Sequence, residues 1–479
     1  LRGNFSGQAA GFLTSFQSPR FFRRLPVSIR CQRILYVVLL AAGCLLVGGC
    51  SAKAPDSKIA PQTELADISR FPQDLRIYAD AAGGEKSLLS PRAQASHYAR
   101  FNKLWFSPWD SKPPRPGQKK LALVAPRDWG QGNASGYAGN LRRWAPEAQA
   151  KLLANARESA YPSCFVPAIT VRNTALRALP GEQPLFGDPS RPGQGYPFDL
   201  FRYTSLPVGM PVLITHTSAD GAWVFVENAV CGGWMPTKDA ASIDESTRQQ
   251  YRAHGQTAFV REGVTLRDEA GRFLALANVG TVLPAAEDGG AVLVPVRDAD
   301  GAARLCRARV TPRDAVRMPL ALTPDAVARI GNEFMGRPYG WGGLNGERDC
   351  SALTRDLFTP FGIWLPRNSS RQRREWSQVS LEGLTSAEKI GALLERGRPF
   401  ASLIYAPGHI MLYVGEMNGT PIIFHAMWGI RTDGDGKIAG RFLVGQVVVT
   451  SLTPGKELRN VQKKNLLLNR IRNFTVLDE

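Results

Sequence analysis

One cysteine and two histidines, widely separated in a chain of 479 residues, are of the types that together carry out nucleophilic acyl transfer. Cys350 follows Asp349, and the apolar residues after it, Leu353, Leu357 and Phe358, recur at helical spacing with Asp349 as a natural N-cap. The thiol is therefore expected in the first turn of a helix, whose positive end stabilises a thiolate. Two of the five histidines lie downstream: His409 in Pro407-Gly408-His409-Ile410-Met411-Leu412-Tyr413, and His425 in Ile422-Ile423-Phe424-His425-Ala426. Both occupy apolar strand-like runs, His409 in phase with Met411 and Tyr413, and His425 in phase with Ile423. Two neighbouring strands can aim both rings at one face, where the helix of Cys350 is expected to pack. One ring then takes the thiol proton, and the second accepts the N–H of the first and sets its tautomer. His97, His216 and His254 have no such surroundings.

The elements that must position these groups can be traced along the chain. Thr323-Pro324-Asp325, followed by Ala326, Val327, Ile330 and Phe334, reads as a capped amphipathic helix ending at Gly336. A glycine-rich turn, Arg337-Pro338-Tyr339-Gly340-Trp341-Gly342-Gly343, then leads to Cys350. Upstream, residues 168–245 and 256–312 are two blocks of short alternating runs punctuated by Gly, Pro and Asp-Gly. The runs on either side of Asp220-Gly221 form a hairpin signal, and each block is the size of a small barrel. Residues 66–167 read as a helical, irregular region without a catalytic constellation. The expected class is α+β and multidomain, with a catalytic block at 322–450 and a C-terminal extension at 451–479.

These motifs carry a resemblance. The run P-Y-G-W-G-G, then D-C-S-A-L, L-P-R-N-S-S-R-Q, G-H-I-M-L-Y-V-G and F-H-A, in that order, resembles the NlpC/P60 family of papain-like cysteine peptidases. The block with W-V-F-V and G-W-M resembles a bacterial SH3-like domain. The domain order is similar to an exported branch of the family with a helical N-terminal region and two SH3-like domains. The resemblance implies a peptidoglycan hydrolase that cuts the γ-D-glutamyl–diaminopimelate amide of wall stem peptides through a thioester. It implies Cys350 as nucleophile, His409 as general base, His425 as its orienting partner, and Tyr339 as a hydroxyl beside the oxyanion. Asp349 and Ser351 match groove-lining positions, the carboxylate suited to a free L-alanine amine. Arg367 and Gln372 match a structural or groove-lining motif. No metal or organic cofactor is expected, because thiolate, imidazole and oxyanion donors suffice. Alternatives are an amidase or acyltransferase using the same Cys and His, or a wall-binding lipoprotein with an inert catalytic domain.

Lys and Arg number 59 against 41 Asp and Glu, but residues 1–49 hold six arginines and no acid. Residues 20–33 are basic and 34–47 almost purely apolar before Gly48-Gly49-Cys50, the order of an export signal too short for a comfortable membrane span. The end of this run resembles a bacterial lipoprotein signal, which implies lipidation of Cys50, a tether over 50–65, and a place in the cell envelope. Ser51 resembles the signal for outer-membrane sorting, facing the periplasm. The segment before Arg20 exceeds what a leader needs, so the true start is expected further in. The basic residues Arg371, Arg373, Arg374, Lys463, Lys464, Arg470 and Arg472 read as solvated faces, so no nucleic-acid partner is expected. Cys164, Cys231 and Cys306 could supply at most one bridge, with free thiols expected first.

Overall fold

The computed structural model describes residues 65–112, 136–433 and 440–478. Cys50, the leader and the tether lie outside the described residues. Helix α1 (Leu75–Ala81) begins where Asp74 accepts the N–H of Arg76, and α2 (Pro91–Trp105) begins where Ser90 accepts the N–H of Ala93. After α3 (Pro146–Ala156), the first barrel follows as one seven-stranded sheet. Its hairpin pairs Pro211–Thr217 with Trp223–Glu227 across Gly221, whose φ of 69° suits a glycine. The second block is built from shorter sheets, with Gln256–Phe259 between Val282–Pro284 and Ala315–Arg317, and two further hairpins beside them. Phe101 and Trp105 of α2 pack in one core with Val212 and Val226 of the first barrel, Ala258 and Val282 of the second, and Trp364 of the catalytic block. The upstream region is therefore joined to the catalytic block by shared apolar burial.

The catalytic block contains α4 (Pro324–Asn332), α5 (Cys350–Phe358), α6 (Ser386–Arg396) and α7 (Leu467–Arg470). Its strands are β1 (Ser377–Ser380), β2 (Ser402–Ala406), β3 (His409–Met417), β4 (Thr420–Thr432), β5 (Gly440–Ser451) and β6 (Asn473–Val476), in the order β1-β6-β2-β3-β4-β5. Residues 451–479 are thus not an appendage: β6 pairs with both β1 and β2 inside the sheet. Ile410, Leu412, Phe424, Ala426 and Val449 share a core with Leu75, Val327, Leu353 and Leu357 of α1, α4 and α5. Met411, Tyr413 and Ile423, the alternate positions, pack with Leu393 of α6 and Leu467 and Leu468 of α7. The architecture is α+β and multidomain, as expected. Cys164, Cys231, Cys306 and Cys350 are all free thiols.

Candidate active site

Cys350 opens α5, with Asp349 as N-cap accepting the N–H of Ala352 at 3.0 Å. That carboxylate is saturated. Its Oδ1 also accepts from Ser351 Oγ (3.1 Å) and Arg367 Nη1 (2.9 Å), while Oδ2 accepts from Gly342 N–H (3.1 Å) and from Arg367 Nη2. Burial opposes the charge, but Arg367 outweighs it and holds the Asp349 carboxyl below the usual range. Ser351 Oγ accepts a further N–H from Arg367 at 2.9 Å. Asp349 and Ser351, both 5% exposed, fasten the start of the helix. Gln372 does the same from behind, donating to Ser351 O and Pro366 O at 2.8 Å each and accepting from Thr354 Oγ1 at 2.7 Å.

The imidazoles meet as expected: His409 Nε2 and His425 Nδ1 are 2.8 Å apart. The relay continues, because His425 Nε2 lies 3.0 Å from Thr450 Oγ1, and that hydroxyl donates to Ser451 O at 2.8 Å. A hydroxyl has one hydrogen, so Thr450 must accept from His425 Nε2–H. His425 Nδ1 is then bare and accepts from His409 Nε2–H, which leaves the lone pair on His409 Nδ1. Thr450 is a member of the site that the sequence reading does not contain; the available signal is a single hydroxyl in phase with the strand face of His425, its register neighbour being Ile423.

The face differs from expectation. The pleat puts the rings in the phase of Met411 and Ile423, while the apolar side of α5 packs against Ile410, Leu412 and Phe424. Cys350 instead shares a core with Ile410, the neighbour of His409 at the start of β3. The charge states differ too. Burial, then Asp349, pushes the Cys350 thiol up to about 12, against the N–H groups of Ile410 and Ser351. Burial, then Arg470, pulls His409 down to about 4, and burial with His409 pulls His425 well below its ordinary value. The pair is therefore a neutral thiol and a neutral base, with ionisation deferred to the moment of attack.

Tyr339 lies in the same neighbourhood: burial, Asp349 and Cys350 hold its phenol well above the ordinary value, so it stays a neutral donor. Its ring is 5.7 Å from that of Trp428 and 6.5 Å from Phe198, a first-barrel residue that also stacks edge-on with Trp341 at 5.1 Å. Arg202 of the first barrel donates to Gly342 O (3.0 Å) and Gly343 O (2.9 Å). A Cβ at Gly343 would come within 2.2 Å of Ser205 Oγ, so the glycine there lets the barrel approach. His216 is instead a satisfied core histidine, bonded to Ser163 Oγ and to the carbonyls of Ala156 and Arg157.

Residues 336–430 match the model of the NlpC/P60 family, 184–236 an SH3 domain of the SH3b1 type, and 39–161 the N-terminal NLPC_P60 stabilising domain. An NlpC/P60 endopeptidase structure from Photobacterium damselae subsp. piscicida superposes with a TM-score of 0.76 at 25% identity, covering 85% of this chain and 97% of that one. This chain has the NlpC/P60 cysteine-peptidase fold with SH3-like domains. Two γ-D-glutamyl-L-lysine dipeptidyl-peptidases, from Bacillus cereus and Bacillus subtilis, are each 30% identical over 95 and 94 residues. The similarity spans only 27% and 30% of their lengths, and 20% and 19% of this chain. The NlpC/P60 match ends at Ile430, before Thr450 and β6.

Proposed function

We propose that the protein is a cysteine hydrolase of peptidoglycan that cuts the amide between γ-D-glutamate and diaminopimelate in stem peptides. The observation that carries this reading is the relay His409–His425–Thr450, which leaves an unprotonated ring nitrogen on the strand that shares a core with Cys350. Sγ attacks the γ-carbonyl carbon as its proton passes to His409 Nδ1. The oxyanion is held by N–H groups at the start of α5 and by the Tyr339 hydroxyl. Collapse expels the amine of the diamino acid, which takes the proton from His409 and leaves a thioester. Water, deprotonated by His409, then releases the glutamyl carboxylate and the thiol. Family likeness in the models, in the Photobacterium endopeptidase and in the Bacillus peptidases supports the peptide substrate.

Cys50 and the leader support export and lipid anchoring in the envelope, at the outer membrane facing the periplasm. Mass spectrometry of muropeptides from sacculi, and of free tripeptides, tests the whole reading. Wild type is expected to release products cut at the γ-D-glutamyl bond, and Cys350→Ala to lower the rate by about 10⁴-fold or more. Binding to sacculi without cleavage would identify a wall-binding lipoprotein, and different product masses an amidase or acyltransferase.

A further inference from the structure

Strands β4 and β5 place Arg431 directly opposite Arg441. Side chains in directly opposed positions share a face of the sheet, and like charges there destabilise the pair. Arg470, at the end of α7, adds a third cation. Burial and the charges of Arg431 and Arg470 push the Arg441 pKa down, and burial with Arg431 does the same to Arg470. Among the described residues no carboxylate forms an ion pair with any of the three, and Arg441 Nε is buried without a hydrogen-bond partner. The Arg441 guanidinium is pressed against Gly193, where a Cβ would come within 2.9 Å of Nη2, and it borders a recess of about 250 Å³ with Trp428 and Tyr196. The cluster lies near the reacting groups at two points: Arg470 donates to Pro407 O at 2.6 Å, two residues before His409, and Arg441 shares its recess with Trp428, whose ring is 5.7 Å from that of Tyr339.

Arg441 and Arg470 are partly desolvated and Arg431 stands opposite Arg441; like charges so placed are costly unless an anion offsets them, and their forked donors fit a carboxylate. Resting on the peptide-hydrolase reading above, we propose that Arg431, Arg441 and Arg470 bind the side-chain carboxylate of the diamino acid, and so select diaminopimelate over lysine. Lysine ends in an ammonium alone, which the cluster repels. Diaminopimelate adds a carboxylate, and among the described residues none pairs with these three cations.

The test uses the purified full chain and two tripeptides, L-Ala-γ-D-Glu-meso-diaminopimelate and L-Ala-γ-D-Glu-L-Lys, with kcat/KM read by product mass. The wild type is expected to favour the first by about tenfold or more. Arg441→Gln, and independently Arg431→Gln at an exposed strand position, should shrink that ratio towards one. A salt concentration of about 0.5 M should also reduce it. Equal losses on both peptides would overturn the assignment, because the arginines would then hold a carboxylate common to both. A wild type without preference, or one preferring lysine, would also overturn it while leaving the hydrolase reading standing. Cleavage of neither peptide would overturn the hydrolase reading and the selectivity with it. Melting curves for Arg441→Gln separate misfolding from lost selectivity, and Arg431→Gln, on the neighbouring strand, tests the same selectivity independently.

Discussion

The first barrel reaches the loop before Cys350 through Arg202, Ser205 and aromatic rings, whereas the second reaches it through a buried carboxylate. Arg348 and Asp349 are adjacent in sequence, yet each is engaged by a different barrel. Arg348, 6% exposed, donates to Glu262 Oε1 at 2.9 Å and Val279 O at 2.9 Å in the second barrel, and to Asp356 Oδ2 at 2.7 Å in α5. Asp349 is tied through Arg367, whose Nε donates to Thr204 Oγ1 of the first barrel at 2.8 Å. Only the first barrel also sends a ring, Phe198, against Tyr339 and Trp428. Two domains of one general type thus do different work. The second anchors the loop by buried charge, and the first packs an aromatic ring beside Tyr339 and Trp428.

The largest effect expected from this contrast follows removal of the charge in the second barrel. Glu262→Ala leaves Arg348 buried with Asp356 as its remaining carboxylate, and should cost about 3–5 kcal/mol in denaturant unfolding. A loss confined to activity, with stability intact, would break the contrast. Arg202→Ala in the first barrel should do the reverse. It removes the donor to Gly342 O and one of the two donors to Gly343 O, leaving Ser205 Oγ on the latter, so kcat/KM is expected to fall about tenfold through a misplaced loop, with only about 1 kcal/mol of stability lost. Equal falls in stability for both variants would show that the barrels act as one brace.

Local signals in the chain account for the start of α5, the Asp349 cap, the hairpin at Asp220-Gly221 and the meeting of His409 with His425, because cap, turn and alternation are encoded by near neighbours. What escapes them depends on distant partners. The strand Asn473–Val476 is only four residues long, and its place in the sheet is set by pairing with Ser377–Ser380 and Ser402–Ala406. The bonds from Arg202 to the glycine loop join residues about 140 positions apart, and no pattern near Arg202 announces them. The face of the histidines departs from expectation for a related reason. Alternation says which residues share a face, but not which face the helix covers. The charge state of Cys350 departs from it because a helix end favours the thiolate while burial, which no local pattern reveals, opposes it.

The smallest expected effect is that of pH, and it asks whether either barrel adds a titrating group to the reaction. His409 is pulled to about 4 by burial and Arg470, with Asp349 acting the other way, and no first- or second-barrel side chain is among those causes. The base must be neutral to accept the thiol proton, so kcat/KM should fall only as pH drops through about 4. The thiol, at about 12, sets no alkaline limit in the ordinary range. A profile flat from about pH 5 to 9 is therefore expected on a soluble tripeptide. The same depression acts on stability. Between the ordinary histidine value of 6.5 and about 4, the unfolded chain binds protons that the folded imidazoles refuse, so the unfolding midpoint should decline as pH falls through that window. His425→Asn should flatten that decline. An acid limb of activity near 6.5, unchanged in the Arg202 variant, would mean that the imidazoles are solvated during turnover, and that burial by the sheet and α7 does not govern the proton.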